Sequence, residues 1–125
     1  MNPSPTNVLL LEDLPHVSDW LTQAIGDAFG TQTRIMLAAP TGRAAKRMSE
    51  MTGSTAKTIH RLLEYSIHKL GFKRHENNPL ECDVLIVDET SMIDTVLMYH
   101  LLKAVPATAG CIFVGEVNKL LWVGG

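Results

Sequence analysis

The chain has 125 residues, a size that suits one small domain or part of a larger one. Apolar residues make up 46% of the chain and charged residues 19%, which excludes a wholly disordered protein. The formal net charge is −2, but residues 33–76 carry nine Lys and Arg against three Glu, between acidic flanks. This basic middle favours a local surface for a polyanion, although a solvated helix face would give the same pattern.

The hydrophobic pattern predicts alternating strands and helices after a flexible tail at 1–6. In chain order it predicts a strand at 8–11, a helix over 17–28, a strand at 34–38, a helix over 43–51, a short helix over 55–65, a loop or irregular hairpin over 71–82, a strand at 84–87, a helix over 91–105 and a strand at 111–114. Alternation of this kind predicts an α/β fold, a three-layer parallel sheet of four to five strands. We expect one partial domain over 7–125, with an atypical opening β-α unit over 7–30.

Two cysteines, Cys82 and Cys111, make neither a disulfide framework nor a zinc site, so a reduced, cytoplasmic setting is expected. No apolar run reaches the length of a membrane helix, and no membrane partner is expected.

Acidic residues follow three of the four predicted strands, at the edge where parallel sheets bind ligands. They are Glu12-Asp13, Asp88-Glu89 and Glu116. An acid at the tip of an apolar strand can hold Mg²⁺ through water, and its neighbour can polarise an attacking water. A turn in which Asp88 caps the next helix would explain the same residues, so the two interpretations stay open.

A tight turn at 40–42 leads from the second strand into a basic helix. The Thr41 hydroxyl and the backbone N–H groups of the helix start predict a phosphate site. Arg43, Lys46 and Arg47 share one helix face because they are three and four residues apart. A second polar cluster, within reach of a phosphate or a base, consists of Thr58, His60 and Arg61. Ordinary exposed helix surface is the alternative for both.

Three of these segments together resemble the first motor domain of RecD-like, superfamily 1 ATP-dependent DNA helicases. Residues 37–48 resemble motif Ia, 58–63 resemble motif Ib, and 87–92 resemble motif II, the Walker B element. The resemblance covers about 35–114, and three motifs in the family's order make it specific. It implies a partial P-loop NTPase (RecA-like) domain whose family uses Mg²⁺ and ATP to move along DNA.

The resemblance also implies roles for single residues. Those implied to line a single-stranded DNA path are Thr41, Arg43, Thr58 and His60. Their basic neighbours Lys46, Arg47 and Arg61 are further DNA-binding candidates. Asp88 would serve as the metal ligand and Glu89 would activate water, which makes these two the catalytic candidates. Lys119 stands where the family's third motif has the Gln that senses the γ-phosphate.

The main departure from the family is the absence of a Walker A loop, G-x-x-x-x-G-K-[ST]. The family's spacing puts its Lys near Val17, but residues 11–18 read LEDLPHVS, without Gly or Lys. Gly lets consecutive N–H groups converge on phosphates and Lys neutralises them, whereas Glu12 and Asp13 would repel them. We therefore expect a helicase fragment that binds nucleotide poorly, lacks the second motor domain with its arginine finger, and is inactive by itself.

Residues 7–30 also resemble the opening of response-regulator receiver domains, whose acidic pair binds magnesium. That resemblance implies an alternative, a receiver-like magnesium-binding chimera with Glu12, Asp13 and Asp88 as ligands. A non-catalytic nucleic-acid-binding module is a further alternative. Natural fusion, a frameshifted gene fragment and a deliberate chimera all remain open.

Overall fold

The computed structural model describes residues 7–12, 14 and 16–116. The tail at 1–6, Asp13 and Lys119 lie outside the described residues. The elements are β1 (Asn7–Glu12), α1 (Val17–Phe29), β2 (Ile35–Ala39), α2 (Gly42–Thr52), β3 (Ala56–Thr58), α3 (Ile59–Leu62), β4 (Tyr65–Ser66), β5 (Gly71–Phe72), β6 (Val84–Val87), α4 (Thr95–Ala104) and β7 (Gly110–Gly115). A 3-10 turn at Thr90–Met92 separates β6 from α4.

Five strands form one parallel sheet in the order β1-β7-β6-β2-β3, with β1 and β3 at its edges. One face packs on α1 and α2, through Leu21 and Met48. The other face packs on α3 and α4, through residues such as Leu63 and Leu101. The predicted three-layer parallel α/β sheet is therefore confirmed.

Strand β6 lies at the centre of the sheet and is its most buried strand. Leu85, Ile86 and Val87 are each 0% exposed, with Leu85 and Val87 in one core cluster and Ile86 in the other. Burying such side chains contributes roughly 1.5–3 kcal/mol each. The residues that follow β6 are consequently attached to the best-anchored part of the sheet.

The helix expected over 55–65 is wrong in its first part, because Ala56–Thr58 pairs with β2 as an edge strand. Its backbone forms sheet hydrogen bonds there, and the helical part shortens to Ile59–Leu62. The Thr58 side chain accepts a hydrogen bond from the Arg61 N–H at 3.2 Å, so α3 begins at this residue.

The single helix expected over 91–105 is also wrong, because it divides into the 3-10 turn and α4 at Ile93-Asp94. Asp94 takes extended backbone angles, and its Oδ1 accepts a hydrogen bond from the Leu97 N–H at 2.7 Å. A short polar side chain that bonds the backbone ahead of it favours a helix start over a helix interior. Asp94 therefore begins α4.

The hairpin expected over 71–82 begins earlier in the chain. Strands β4 and β5 pair antiparallel, with Tyr65 opposite Phe72. The segment after β5 is irregular and is held by Arg74, which donates to Glu64 Oε2 at 2.6 Å and to the Pro79 carbonyl at 3.0 Å. The hydrogen bond from Arg74 lowers the pKa of Glu64 below its ordinary value.

Both cysteines are free and buried, on the sheet and just before it. Burial raises the pKa of Cys82 to about 11 and that of Cys111 to about 12. Thiols with such pKa values are protonated at neutral pH and are poor nucleophiles or metal ligands. Within the described ranges, the helices are all too short or too polar to span a bilayer.

Candidate functional site

Two helix-starting turns lie side by side at the carboxyl edge of the sheet. Ala39, the last residue of β2, is in register with Thr58, the last residue of β3. Thr41 begins α2 by accepting a hydrogen bond from the Ala44 N–H at 3.2 Å, as Thr58 does for α3. The structure thus brings together the two turns that the sequence pattern selected separately.

The basic candidates divide into two sets. Arg43 and Lys46 on α2 and Arg61 on α3 are exposed to solvent, and so is His60. Arg47 is exposed too, but it donates a hydrogen bond from Nη2 to Glu89 Oε1 at 2.9 Å. Its guanidinium is therefore directed toward the acids after β6, which the helical spacing could not reveal.

Asp88 and Glu89 follow the buried strand β6, as expected. The Asp88 N–H donates to the Ala38 carbonyl at 2.9 Å, and Asp88 Oδ1 accepts from the Glu89 N–H at 2.8 Å. Asp88 does not cap the next helix, because the 3-10 turn has no side-chain cap and α4 is capped by Asp94. Glu89 has a φ of 51°, a left-handed conformation that costs a residue with a Cβ roughly 1–2 kcal/mol.

Two residues that sequence reasoning missed hold the segment after the acids against β7. The Thr90 hydroxyl is buried and lies 3.2 Å from the Val87 carbonyl and 3.0 Å from the Val114 carbonyl, to which it donates. A Cβ on Gly115 would lie 3.3 Å from the Thr90 backbone nitrogen. The apolar strands around them gave no local signal for this contact.

A cleft of about 290 Å³ opens beside the acids, at the start of α1. It is lined by Leu14, His16, Val17, Ser18, Arg47, Met48, Met51, Asp88 and Glu89. Ser18 is 5% exposed, and its Oγ has no hydrogen-bond partner within the described structure. An orphaned buried hydroxyl costs free energy, so a polar group entering this cleft would find a favourable partner.

The lining residues fit a hydrated Mg²⁺ better than a triphosphate. A serine hydroxyl and carboxylate oxygens are suitable ligands for a cation that keeps several waters. No group of three or more His, Cys, Asp and Glu suited to a metal ion occurs in the part of the chain that the structure describes. Of the described lining residues, only Arg47 carries a permanent positive charge, and it already pairs with Glu89.

The acidic pair at the end of β1 does not join this cleft as far as the described residues show. Glu12 lines a separate apolar groove with Leu11, Leu14, Val17 and Trp20. Its neighbour Asp13, the other acid of the receiver-like interpretation, lies outside the described residues.

A model of a protein family described as an AAA domain matches residues 16–125, most of the chain. The chain belongs to this family. The match includes α1, which is part of the segment that resembles receiver domains. Two relatives narrow the family assignment further. They confirm the resemblance to RecD-like, superfamily 1 helicases.

The RecD-like relatives are much longer than this chain. The ATP-dependent RecD2 DNA helicase of Deinococcus radiodurans is 45% identical over 100 residues, covering 79% of the chain and 14% of the relative. RecBCD enzyme subunit RecD of Mycolicibacterium smegmatis is 38% identical over 104 residues, covering 70% and 19%. The fold is similar to that of a Pif1 helicase from Bacteroides, with TM-score 0.58 and 18% identity over 89% of the chain and 28% of the other.

Proposed function

We propose that this chain supplies a single-stranded-DNA-binding surface and the Walker B acids of a RecD-like helicase motor, and does not hydrolyse ATP by itself. The observation that carries the proposal is the register of β2 with β3 and β6, which aligns three motif-bearing turns at one sheet edge. Because the chain spans 14% of RecD2, translocation along DNA is proposed for a complete motor and not for these residues alone.

Phosphate binding is assigned to the two helix-starting turns and their basic neighbours. Backbone N–H groups at the start of the eleven-residue α2 favour anions, and Arg43 and Lys46 lie exposed within its first five residues. A related fold supports this choice, since a Bacteroides Pif1 helicase with TM-score 0.51 was solved with ADP-AlF3 and single-stranded DNA. Arg47 is given the different role of pairing with Glu89.

The test removes the two exposed cations of α2. Arg43→Ala with Lys46→Ala should weaken binding of a labelled oligo(dT) at least about tenfold at low salt, measured by fluorescence anisotropy. If each cation neutralises one phosphate, the slope of log affinity against log salt should become shallower by about 1.4.

The matched control removes an Arg and a Lys elsewhere, through Arg34→Ala with Lys103→Ala. Arg34 lies at the opposite end of β2 and Lys103 near the end of α4, so the control should change DNA affinity by less than about twofold. Equal effects of the two double variants would show that net charge, and not this surface, governs binding and would overturn the proposal.

Magnesium is assigned to the cleft beside the acids, with Asp88 and Ser18 as protein ligands and water completing the shell. When bound, the ion would neutralise phosphate charge and lower the pKa of a bound water. Glu89 would orient a water, and its pairing with Arg47 holds the carboxylate at the cleft wall. The described residues that line this cleft include no Lys for the β- and γ-phosphates, which is why no hydrolysis is proposed.

A non-catalytic nucleic-acid-binding module is the second candidate function. Arg43 and Lys46 are not among the described residues that line the cleft beside the acids, which favours this candidate, because DNA binding would then need no nucleotide. In that case, saturating MgATP would leave the affinity for oligo(dT) unchanged, whereas a coupled motor part would change it severalfold. The buried free thiols support a reducing, cytoplasmic setting for either candidate.

A further inference from the structure

A second cleft, of about 320 Å³, lies between α3, the β4-β5 hairpin and the start of α4. It is lined by His60, Tyr65, Leu70, Gly71, Phe72, Asp94, Val96, Leu97 and His100. Its volume is at the lower end of the range of roughly 300–1,000 Å³ for small-molecule sites. The cleft has room for one planar group and not for a folded segment of a partner.

Four rings contact one another along the wall of this aromatic cleft. The Phe72 ring is at the centre, with centroids 5.1 Å from Tyr65, 5.8 Å from His60 and 4.9 Å from His100. Such separations are those of favourable aromatic pairs. Tyr65 is nevertheless 42% exposed, so ring surface remains open to a further planar partner.

The residues that line the aromatic cleft differ in charge from those around it. None of the described lining residues is Lys or Arg, and Asp94, the one carboxylate, already accepts the Leu97 N–H. Lys69 and Lys73 are exposed and line a neighbouring cleft, which shares Gly71 and Phe72 with the aromatic cleft. Arg61, also exposed, follows the lining residue His60 in the chain. An uncharged ring inside, joined to anions outside, matches this distribution.

We infer that the aromatic cleft receives one unstacked nucleobase of a bound single strand, while Arg61, Lys69 and Lys73 beside the cleft contact the flanking phosphates. The inference rests on the proposed function and adds base stacking to a surface so far assigned to phosphates. Thr58, the start of α3, is two residues from His60, so the base would enter beside the second phosphate-binding turn. Stacking is tolerant of sequence, because every base has a π-face.

The experiment compares intact oligo(dT) with an abasic strand of the same length, using the full chain. Phe72→Leu keeps apolar volume but removes the central ring, and should weaken binding of the intact strand by about fivefold or more. Binding of the abasic strand should stay within about twofold. A 2-aminopurine placed in the strand should lose fluorescence on binding to the unaltered chain and regain it with the variant.

Trp20→Leu is the matched control, because Trp20 is an exposed aromatic residue on α1, outside the cleft, and should change neither affinity. Tyr65→Leu, at the more exposed ring, repeats the test should Phe72→Leu unfold. If a folded ring variant binds the intact strand with unchanged affinity, while Arg43→Ala with Lys46→Ala still weakens binding, the inference about the aromatic cleft alone is overturned. Absence of DNA binding by the unaltered chain overturns both proposals. Equal losses for both strands would assign the cleft to folding and overturn the inference.

Discussion

Gly115 ends β7 where that strand passes closest to the segment after the acids. A Cβ there would lie 3.3 Å from the Thr90 nitrogen and 3.4 Å from the Ser91 nitrogen, both backbone atoms that cannot swing aside. The Thr90 hydroxyl joins the same two strands through the Val87 and Val114 carbonyls. The position of the segment that follows Asp88 and Glu89 therefore depends on the absence of a Cβ at Gly115.

Gly115→Ala should lower the free energy of unfolding by about 1–3 kcal/mol, because extra volume in a packed site forces a backbone shift. Urea unfolding followed by circular dichroism measures this. The matched control is Gly26→Ala in α1, where a Cβ meets nothing within 4 Å. It should raise stability by about 1 kcal/mol, the difference in helix propensity. Equal effects of the two substitutions would contradict the close contact at Gly115.

At the scale of elements, β2 and β6 are joined just before their first residues by hydrogen bonds between Arg34 and Asp83, in addition to the pairing of the strands themselves. The Arg34 N–H donates to Asp83 Oδ2 at 2.8 Å, the guanidinium lies 3.2 Å from Oδ1, and the Asp83 N–H donates to the Arg34 carbonyl. The backbone hydrogen bond, followed by those from the side chain, holds the pKa of Asp83 below its ordinary value. Both side chains are largely exposed, so solvent weakens the pair.

A lowered folded-state pKa means that ionised Asp83 stabilises the fold above its ordinary pKa, about 3.9, and that this contribution is lost as the pH falls through the lowered value. Asp83→Asn should therefore be less stable than the unaltered chain by a constant margin from pH 5 to 8. The margin should shrink as the pH falls below about 4, as measured by thermal unfolding. Glu81→Gln, two residues away and exposed, is the control; a margin of the same pH dependence there would contradict a specific role for Asp83.

At the scale of the whole molecule, the two faces of the sheet carry different clefts. Helices α1 and α2 border the cleft beside Asp88 and Glu89, the acidic cleft, and α3 and α4 border the aromatic cleft. The sheet lies between them. The acids and the turns proposed to contact DNA can thus lie at one sheet edge beside a cleft that does not suit a triphosphate.

The full chain with single-stranded DNA should hydrolyse ATP at less than about 0.1 per second, far below ordinary enzymes. The reason is that Arg47, the only permanently charged cation among the described residues of the acidic cleft, is neutralised by Glu89. A coupled phosphate-release assay measures the rate. Faster turnover that disappears in Glu89→Gln would show that the cleft does bind and cleave nucleotide.

Much of the candidate site was predictable because its signals are local. An apolar run predicted the buried strand β6, and it therefore also predicted that Asp88 and Glu89 lie at the carboxyl end of that strand. Residues 40–47 predicted a tight turn followed by a basic helix, since turn chemistry and helix periodicity depend on neighbours in the chain.

The sequence by itself determined the parallel α/β class, the order of the motifs and the lack of Gly and Lys where a phosphate loop would stand. Only the tertiary structure decided that 56–58 is an edge strand, that Arg47 meets Glu89, and that His60 and His100 share one cleft. These contacts join residues far apart in the chain. Their free energy comes from pairing and packing that exist only after the sheet has formed, so no window of sequence contains them.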